Sequence, residues 1–210
     1  IKDLGNTYQA VGDIKNAKYC YQKAIEINSS YAPALTNLGS IELNKGDKKE
    51  ALSLLIKATK YDPKLAIAWI NLTKGYIQLG KIQDAKISIC KSIELNPNLF
   101  DSHFLLGTIL LGQKKLKDAE ISTRKAIELK PNLFNSHFLL GNILLGQKKL
   151  QDAEISTRKA IELNPNYAEA HSNLGNILRD LGNLKEAELS TRKAIELNPN
   201  YAEAHSNLGN

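Results

Sequence analysis

The chain has 210 residues, of which 42% are apolar and 24% charged, with a net charge of +6. This balance is ordinary for a folded domain and argues against a disordered or low-complexity chain. No run of about 18 apolar residues is present, so no segment is expected to span a membrane.

A period of 34 residues runs through the sequence, and frames begin at Ala32, Ala66, Phe100, Phe134 and Ala168. TRKAIELNPNYAEAHSNLGN occurs twice unchanged, at Thr157–Asn176 and Thr191–Asn210. In chain order the units are 1–31 (partial), 32–65, 66–99, 100–133, 134–167, 168–201 and 202–210 (partial). A fixed period of this size marks a stack of small units in one array, 1–210, each touching its neighbours. The chain reads as a window cut from a longer array, starting inside one helix and stopping inside another.

The unit from Ala168 shows the internal plan. Leu174, Ile177, Leu178 and Leu181 have helical spacing, and Gly182-Asn183 breaks that run. A second helical run through Leu184, Ala187, Leu189, Ala194, Ile195 and Leu197 stops at Asn198-Pro199, since proline lacks an amide donor and disfavours helix before it. Pro63, Pro97, Pro131 and Pro165 repeat the stop, while the first unit has Ser29-Ser30 there. Each unit is predicted to be a helix, a turn and an antiparallel helix. The eighth place holds Gly5, Gly39, Gly107, Gly141, Gly175 and Gly209, with Thr73 the departure; the twentieth holds Ala17, Ala51, Ala85, Ala119, Ala153 and Ala187. Small residues at these places predict close helix contact, loosened slightly at Thr73.

Trp69, Leu72, Tyr76, Gly80, Ala85 and Pro97 together resemble the tetratricopeptide repeat signature, and the pattern covers the whole chain. The pentatricopeptide relatives usually have 35-residue units without this proline pattern. The resemblance implies an all-α right-handed superhelical solenoid of antiparallel helix pairs whose first helices line a concave groove. It implies a protein- or peptide-binding scaffold, with a substrate-selecting arm of a larger enzyme, such as a glycosyltransferase or sulfotransferase, as the alternative.

Helical geometry puts places four, seven, eight and eleven on one side of the first helix and two, six, nine and thirteen opposite. The sixth place carries Asn37, Asn71, Asn173 and Asn207, interrupted by Leu105 and Leu139; the ninth carries Lys74, Asn142 and Asn176, with Asn210 in the last partial unit. A primary amide both donates and accepts, and so suits the backbone of an extended peptide. These asparagines are similar to the asparagine ladder in the repeats of O-linked N-acetylglucosamine transferase, which implies exposed amides that grip a polypeptide. Duplication alone also repeats residues, and explains Asn173 and Asn207 better than Asn37 and Asn71. Phe104-Leu105 and Phe138-Leu139 either form a pocket for apolar side chains or pack between adjacent first helices. Lys2, Asn6 and Asn37 match part of the carboxylate clamp of co-chaperones in this family, but Ile67 and Asn71 leave it incomplete.

Other classes find little support. His103, His137, His171 and His205 share the fourth place, one per unit, where Trp69 stands in the third unit; such spacing makes no metal site. No catalytic constellation, phosphate loop or cofactor motif appears, so the chain is not expected to be an enzyme or to need a cofactor. Residues 1–167 carry 24 basic and 16 acidic side chains, against 4 and 6 in 168–210. Lys48, Lys49, Lys81, Lys114, Lys115, Lys148 and Lys149 fall in the turns, either as solvated residues or as a basic edge for an acidic partner. They lack aromatic interleaving, which disfavours nucleic acid. Cys20 and Cys90, two units apart, are expected to be buried free thiols in a reducing, cytoplasmic setting. Bare apolar surface around Leu4, Tyr8, Ile14 and Leu208 predicts end-to-end self-association.

Overall fold

A computed structural model describes residues 1–208, with the side chains of Glu203 and Leu208 outside the description. The described residues form thirteen helices and no strand: α1 (Lys2–Ala10), α2 (Ile14–Ile27), α3 (Ala32–Lys45), α4 (Lys48–Tyr61), α5 (Ala66–Gln78), α6 (Ile82–Leu95), α7 (Phe100–Gly112), α8 (Leu116–Leu129), α9 (Phe134–Gly146), α10 (Leu150–Leu163), α11 (Ala168–Asp180), α12 (Leu184–Leu197) and α13 (Ala202–Leu208). They form two compact units, Ile1–Ser102 and the remainder from His103.

All six second helices have 14 residues, opening at the seventeenth place and closing at the thirtieth. The stop is built from more than proline. The residue at the thirty-first place accepts the backbone N–H two positions on: Asn28 from Ser30 and Asp62 from Lys64, both at 3.0 Å. This side-chain turn closes the first unit too, where Ser29-Ser30 replaces the proline. The proline carbonyl is also used. It accepts a ring N–H from the fourth place of the following helix: Trp69 Nε1 to Pro63 O at 2.9 Å, His137 Nε2 to Pro131 O at 2.7 Å and His171 Nε2 to Pro165 O at 2.9 Å. The histidines therefore do the work of Trp69, tying each helix start to the turn before it.

Small residues set the spacing between helices. The alanines at the twentieth place are buried. A Cβ on Gly5 would lie 2.7 Å from the Tyr21 ring, and one on Gly39 2.8 Å from Leu55 Cγ. On Gly107, Gly141 and Gly175 it would strike the hydroxyls of Thr123, Thr157 and Thr191. Thr73 is fully enclosed at this place, its hydroxyl donating to its own helix at Trp69 O, 2.8 Å away. The structure adds a third small site. Ala34, Ala68, Ser102, Ser136, Ala170 and Ala204, all at the third place, have no solvent exposure. Apolar clusters fill between these contacts, as with Leu110, Ala119, Leu139 and Ile143 in the second unit.

The turn inside each unit needs a left-handed residue at the fifteenth place. Gly12, Gly46, Gly80 and Gly182 supply it, but Lys114 and Lys148 adopt φ of 58° and 64°. Cys20 is buried as expected, whereas Cys90 is only half-buried. It sits at the twenty-fifth place, where the three later units carry the exposed Arg124, Arg158 and Arg192. Leu4 and Ile14 are exposed, and Tyr8 packs on the first cluster; Gly209, Asn210 and the Leu208 side chain lie outside the described residues.

Two substitutions probe these packing and turn constraints by chemical denaturation. Lys148→Gly should raise stability by about 1 kcal/mol, because it removes the left-handed strain of a residue bearing Cβ. Gly141→Ala should lower it by about 1–3 kcal/mol through overpacking against Thr157.

Candidate functional site

The first-helix surface is where the sequence places binding. Its outermost positions are open: Asp101, Asn135 and Glu169 at the second place, and Asn44, Gln78 and Asp180 at the thirteenth, are exposed. The sixth place lies deeper than expected. Asn71 retains 8% exposure and Leu139 6%, and Leu139 belongs to the apolar cluster between α7 and α9. Asn37, Asn173, Asn207 and Leu105 are half-buried. The helical projection considers one contact face, but a first helix in a stack packs on its own partner and on the neighbouring first helix. The second contact covers the arc containing the sixth place.

The amides meet across that seam, ninth place to sixth place of the next unit. Asn37 Nδ2 donates to Asn6 Oδ1 at 2.8 Å, and Asn6 Oδ1 also receives the Tyr21 hydroxyl at 2.8 Å. Burial pushes the Tyr21 phenol above its ordinary value, so it remains a donor. Asn173 Nδ2 donates to Asn142 Oδ1 in the same register. Asn207 Nδ2 turns instead to Ser172 Oγ at 3.2 Å, and Asn176 Oδ1 accepts from Arg179 Nη2 at 3.2 Å. The recurring asparagines thus have a structural use, joining units, which the sequence pattern alone does not reveal. Each bridging Nδ2 carries a second N–H, and Asn142 Oδ1 a second lone pair, whereas Asn6 Oδ1 already takes two donors. Asn142, Asn176 and Lys74 are half-buried and reach the surface beside these pairs.

The apolar pairs resolve differently from one another. Leu139 packs inward, so Phe138-Leu139 is not a paired opening in the groove. Phe138 is half-buried with its ring edge-on to Tyr167 at 4.8 Å, and Phe134 meets the same ring at 5.0 Å. Phe104 packs against the Leu139 cluster while remaining half-buried.

The second helices carry a lattice of ion pairs. Glu120 accepts from Arg124 at 2.8 Å and from Lys149 of the next unit at 3.0 Å; Arg158 spans Glu154 at 2.8 Å and Glu186 of the next unit at 2.5 Å. Burial of Glu120 disfavours its charge, but Arg124, Lys149 and Gln147 outweigh that and hold its carboxyl at about 2. The remaining turn lysines are exposed. Among the described residues no helix is long and apolar enough to cross a membrane, and no His/Cys/Asp/Glu group could hold a metal ion.

Consecutive antiparallel helix pairs of 34 residues, with small residues at the contacts and a proline-closed turn, define a tetratricopeptide repeat scaffold. Residues 2–208 match the family described as the cilia and flagella-associated protein 70 C-terminal domain, and the chain belongs to that tetratricopeptide family. No curated protein matches it. Solved structures are similar. YrrB, described as a TPR protein with an unusual peptide-binding site, is 25% identical at a TM-score of 0.73, over 89% of this chain and 96% of its own. PilF of Pseudomonas aeruginosa is 19% identical at 0.87, over 98% and 93% respectively. The Cut9–Hcn1 assembly of APC/C is 19% identical at 0.86, over 98% of this chain and 41% of that one. The last two matches establish fold alone.

Two measurements probe these contacts. A double-mutant cycle on Asn142→Ala and Asn173→Ala should give a coupling of about 0.5–1.5 kcal/mol, the net worth of one hydrogen bond. Glu120, depressed in the fold from 4.5 to about 2, contributes stability that is present above pH 4.5 and lost as pH falls toward 2. Acid titration of the folded fraction should show that loss, and Glu120→Gln should flatten it.

Proposed function

We propose that this chain is a non-catalytic protein-interaction scaffold whose first-helix groove binds an extended polypeptide segment. The observation that carries the reading is the half-buried amides on first helices, Asn37 in the first compact unit and Asn142, Asn173 and Asn176 in the second. Asn142 pairs with Asn173, Asn37 with Asn6 and Asn176 with Arg179, and these bonds fix the amides while leaving further N–H groups for a ligand backbone. Similarity to YrrB, whose description includes a peptide-binding site, supports the same reading. Asn71 and Leu139 are too enclosed to contribute directly, so the ladder is shorter than the sequence pattern suggests. Lys74, Asn207, Phe104, Leu105 and Phe138 complete the proposed surface.

Energetics require the apolar members. Four backbone contacts at about 0.5–1.5 kcal/mol each supply roughly 2–6 kcal/mol, short of the ~8 kcal/mol of micromolar affinity. Phe104 and Phe138 would provide the remainder by covering apolar side chains of the ligand. We also propose end-to-end association through the exposed Ile1, Leu4 and Val11 of the α1 end. Light scattering over a wide concentration range should show mass growth that Leu4→Lys suppresses.

The groove is tested by capturing a partner with this chain and measuring its affinity for a variant carrying Asn142→Ala, Asn173→Ala and Asn176→Ala. Affinity should fall at least about tenfold, the effect of losing roughly 1.4 kcal/mol or more. Unchanged affinity in a folded variant would reject the groove as the binding surface.

A further inference from the structure

The second helices carry an apolar row that the proposed groove does not use. At the twenty-second place Ile87, Ile121, Ile155 and Leu189 are 68%, 70%, 68% and 67% exposed. Duplication does not account for all four. The helix around Ile87 differs from the later copies at several positions, including Lys86 and Cys90, and the last copy exchanges isoleucine for leucine yet stays apolar.

In the unit from Ala66, an opening of ≈ 410 Å³ is lined by Trp69, Ile87, Cys90, Lys91 and Glu94. In the unit from Phe134, one of ≈ 710 Å³ is lined by His137, Ile155, Arg158, Lys159 and Glu162, at the same five places. The larger opening also takes Arg124, Ile127 and Glu128 from the preceding second helix, so it lies between α8 and α10 with Leu140 of α9 in its floor. The repeat plan therefore builds this groove more than once, and does not leave it as a chance gap.

Its rim is ordered by charge. Arg124, Arg158 and Lys159 form a positive band at the level of the twenty-fifth and twenty-sixth places; Glu128 and Glu162 form a negative band one helical turn further on. Ile127, Leu140 and Ile155 give an apolar floor beneath both. The rim groups are paired with near neighbours: Arg124 with the partly buried Glu120, Arg158 with Glu154 and Glu186, Lys159 with Glu162 and Glu128 with Lys125; the exposed i,i+3 pairs contribute little and exchange readily.

We propose that the groove between α8 and α10 is a second docking site, and that its occupant is an amphipathic α-helix of a partner protein. One apolar side chain of that helix seats on Ile155 and Leu140, with an acidic residue against Arg124, Arg158 and Lys159 and a basic residue one turn away against Glu128 and Glu162. The complementarity is one of order: acid and base spaced a single turn apart, about 5.4 Å, match the two bands. A helix fits where an extended segment does not. The walls are helices whose own backbone groups are bonded internally, and the lining holds no carboxamide like those of the first helices to pair with an extended backbone. A helix brings its backbone already satisfied.

Binding of synthetic peptides to the whole chain, read by fluorescence anisotropy, tests this. The probe is an alanine-based helical peptide with leucines on one face and glutamate and lysine flanking them one turn apart. It should bind saturably, and at least tenfold more tightly than peptides of the same length with glutamate alone or lysine alone. Ile155→Ser, at an exposed position, should weaken it at least tenfold with the melting temperature unchanged, whereas the Asn142→Ala/Asn173→Ala/Asn176→Ala variant should bind it normally. The last comparison separates this site from the first-helix groove, since either can fail alone. No saturable binding below about 1 mM, equal binding of the single-charge peptides, or equal binding of a proline-broken peptide would overturn the proposal. So would a protein that self-associates without peptide and becomes monomeric on Ile155→Ser, because the occupant would then be a second copy.

Discussion

Close approach of helices at positions too small to resist it is the constraint on which the rest depends. At the third, eighth and twentieth places the backbone of one helix comes so near its neighbour that little or no side chain fits between them. Absence of bulk is the feature these contacts share, and at the third place Ser102 adds a buried hydroxyl contact to Ser92 at 2.8 Å. Once the helices are that close, apolar clusters such as those around Leu38, Leu110 and Leu140 can run from one pair to the next within each compact unit. The turns then need only deliver each helix to its place. The ring-to-carbonyl bond at Trp69 or the histidines does that with one donor, and tryptophan and histidine serve equally because each offers an N–H at the right distance.

How much of this is legible in the sequence follows from what kind of signal each feature leaves. Period, turns and helix limits are readable because proline and glycine act through the local backbone, which needs no knowledge of neighbours. The glycines and the twentieth-place alanines are readable because smallness repeated at a fixed spacing points directly to close contact. The third-place alanines and serines carry the same signal in weaker form, since alanine is also the best helix former and recurs for that reason alone. The fate of the sixth place is not readable. A helical projection describes one helix against one surface, whereas Asn71 and Leu139 are covered by a second neighbour whose distance depends on the stack. The sequence therefore places the asparagines on the first helices but not at their true depth, and it does not show that they join units.

The two faces of each unit divide their chemistry. First helices present uncharged amides, rigidly held by their neighbours, suited to a backbone. Second helices present aliphatic side chains among paired charges, suited to a preformed element. Charge is accordingly concentrated where it is easily exchanged.

Asn142 and Asn173 share one seam, while Thr108 and Leu139 occupy the same places in the seam before it. This difference matters while the chain is still folding. Helices α8, α10 and α12 are so nearly alike that each presents its neighbours with almost the same apolar face, and a pairing slipped by one copy would bury a similar area. With α11 docked where α9 belongs, Asn173 would meet Thr108 in place of Asn142, exchanging a carboxamide partner for a hydroxyl that already donates to Phe104 O. A seam closed by the poorer contact should open sooner than the matched one. Seam residues that differ from unit to unit thus carry positional information that the nearly identical second helices lack.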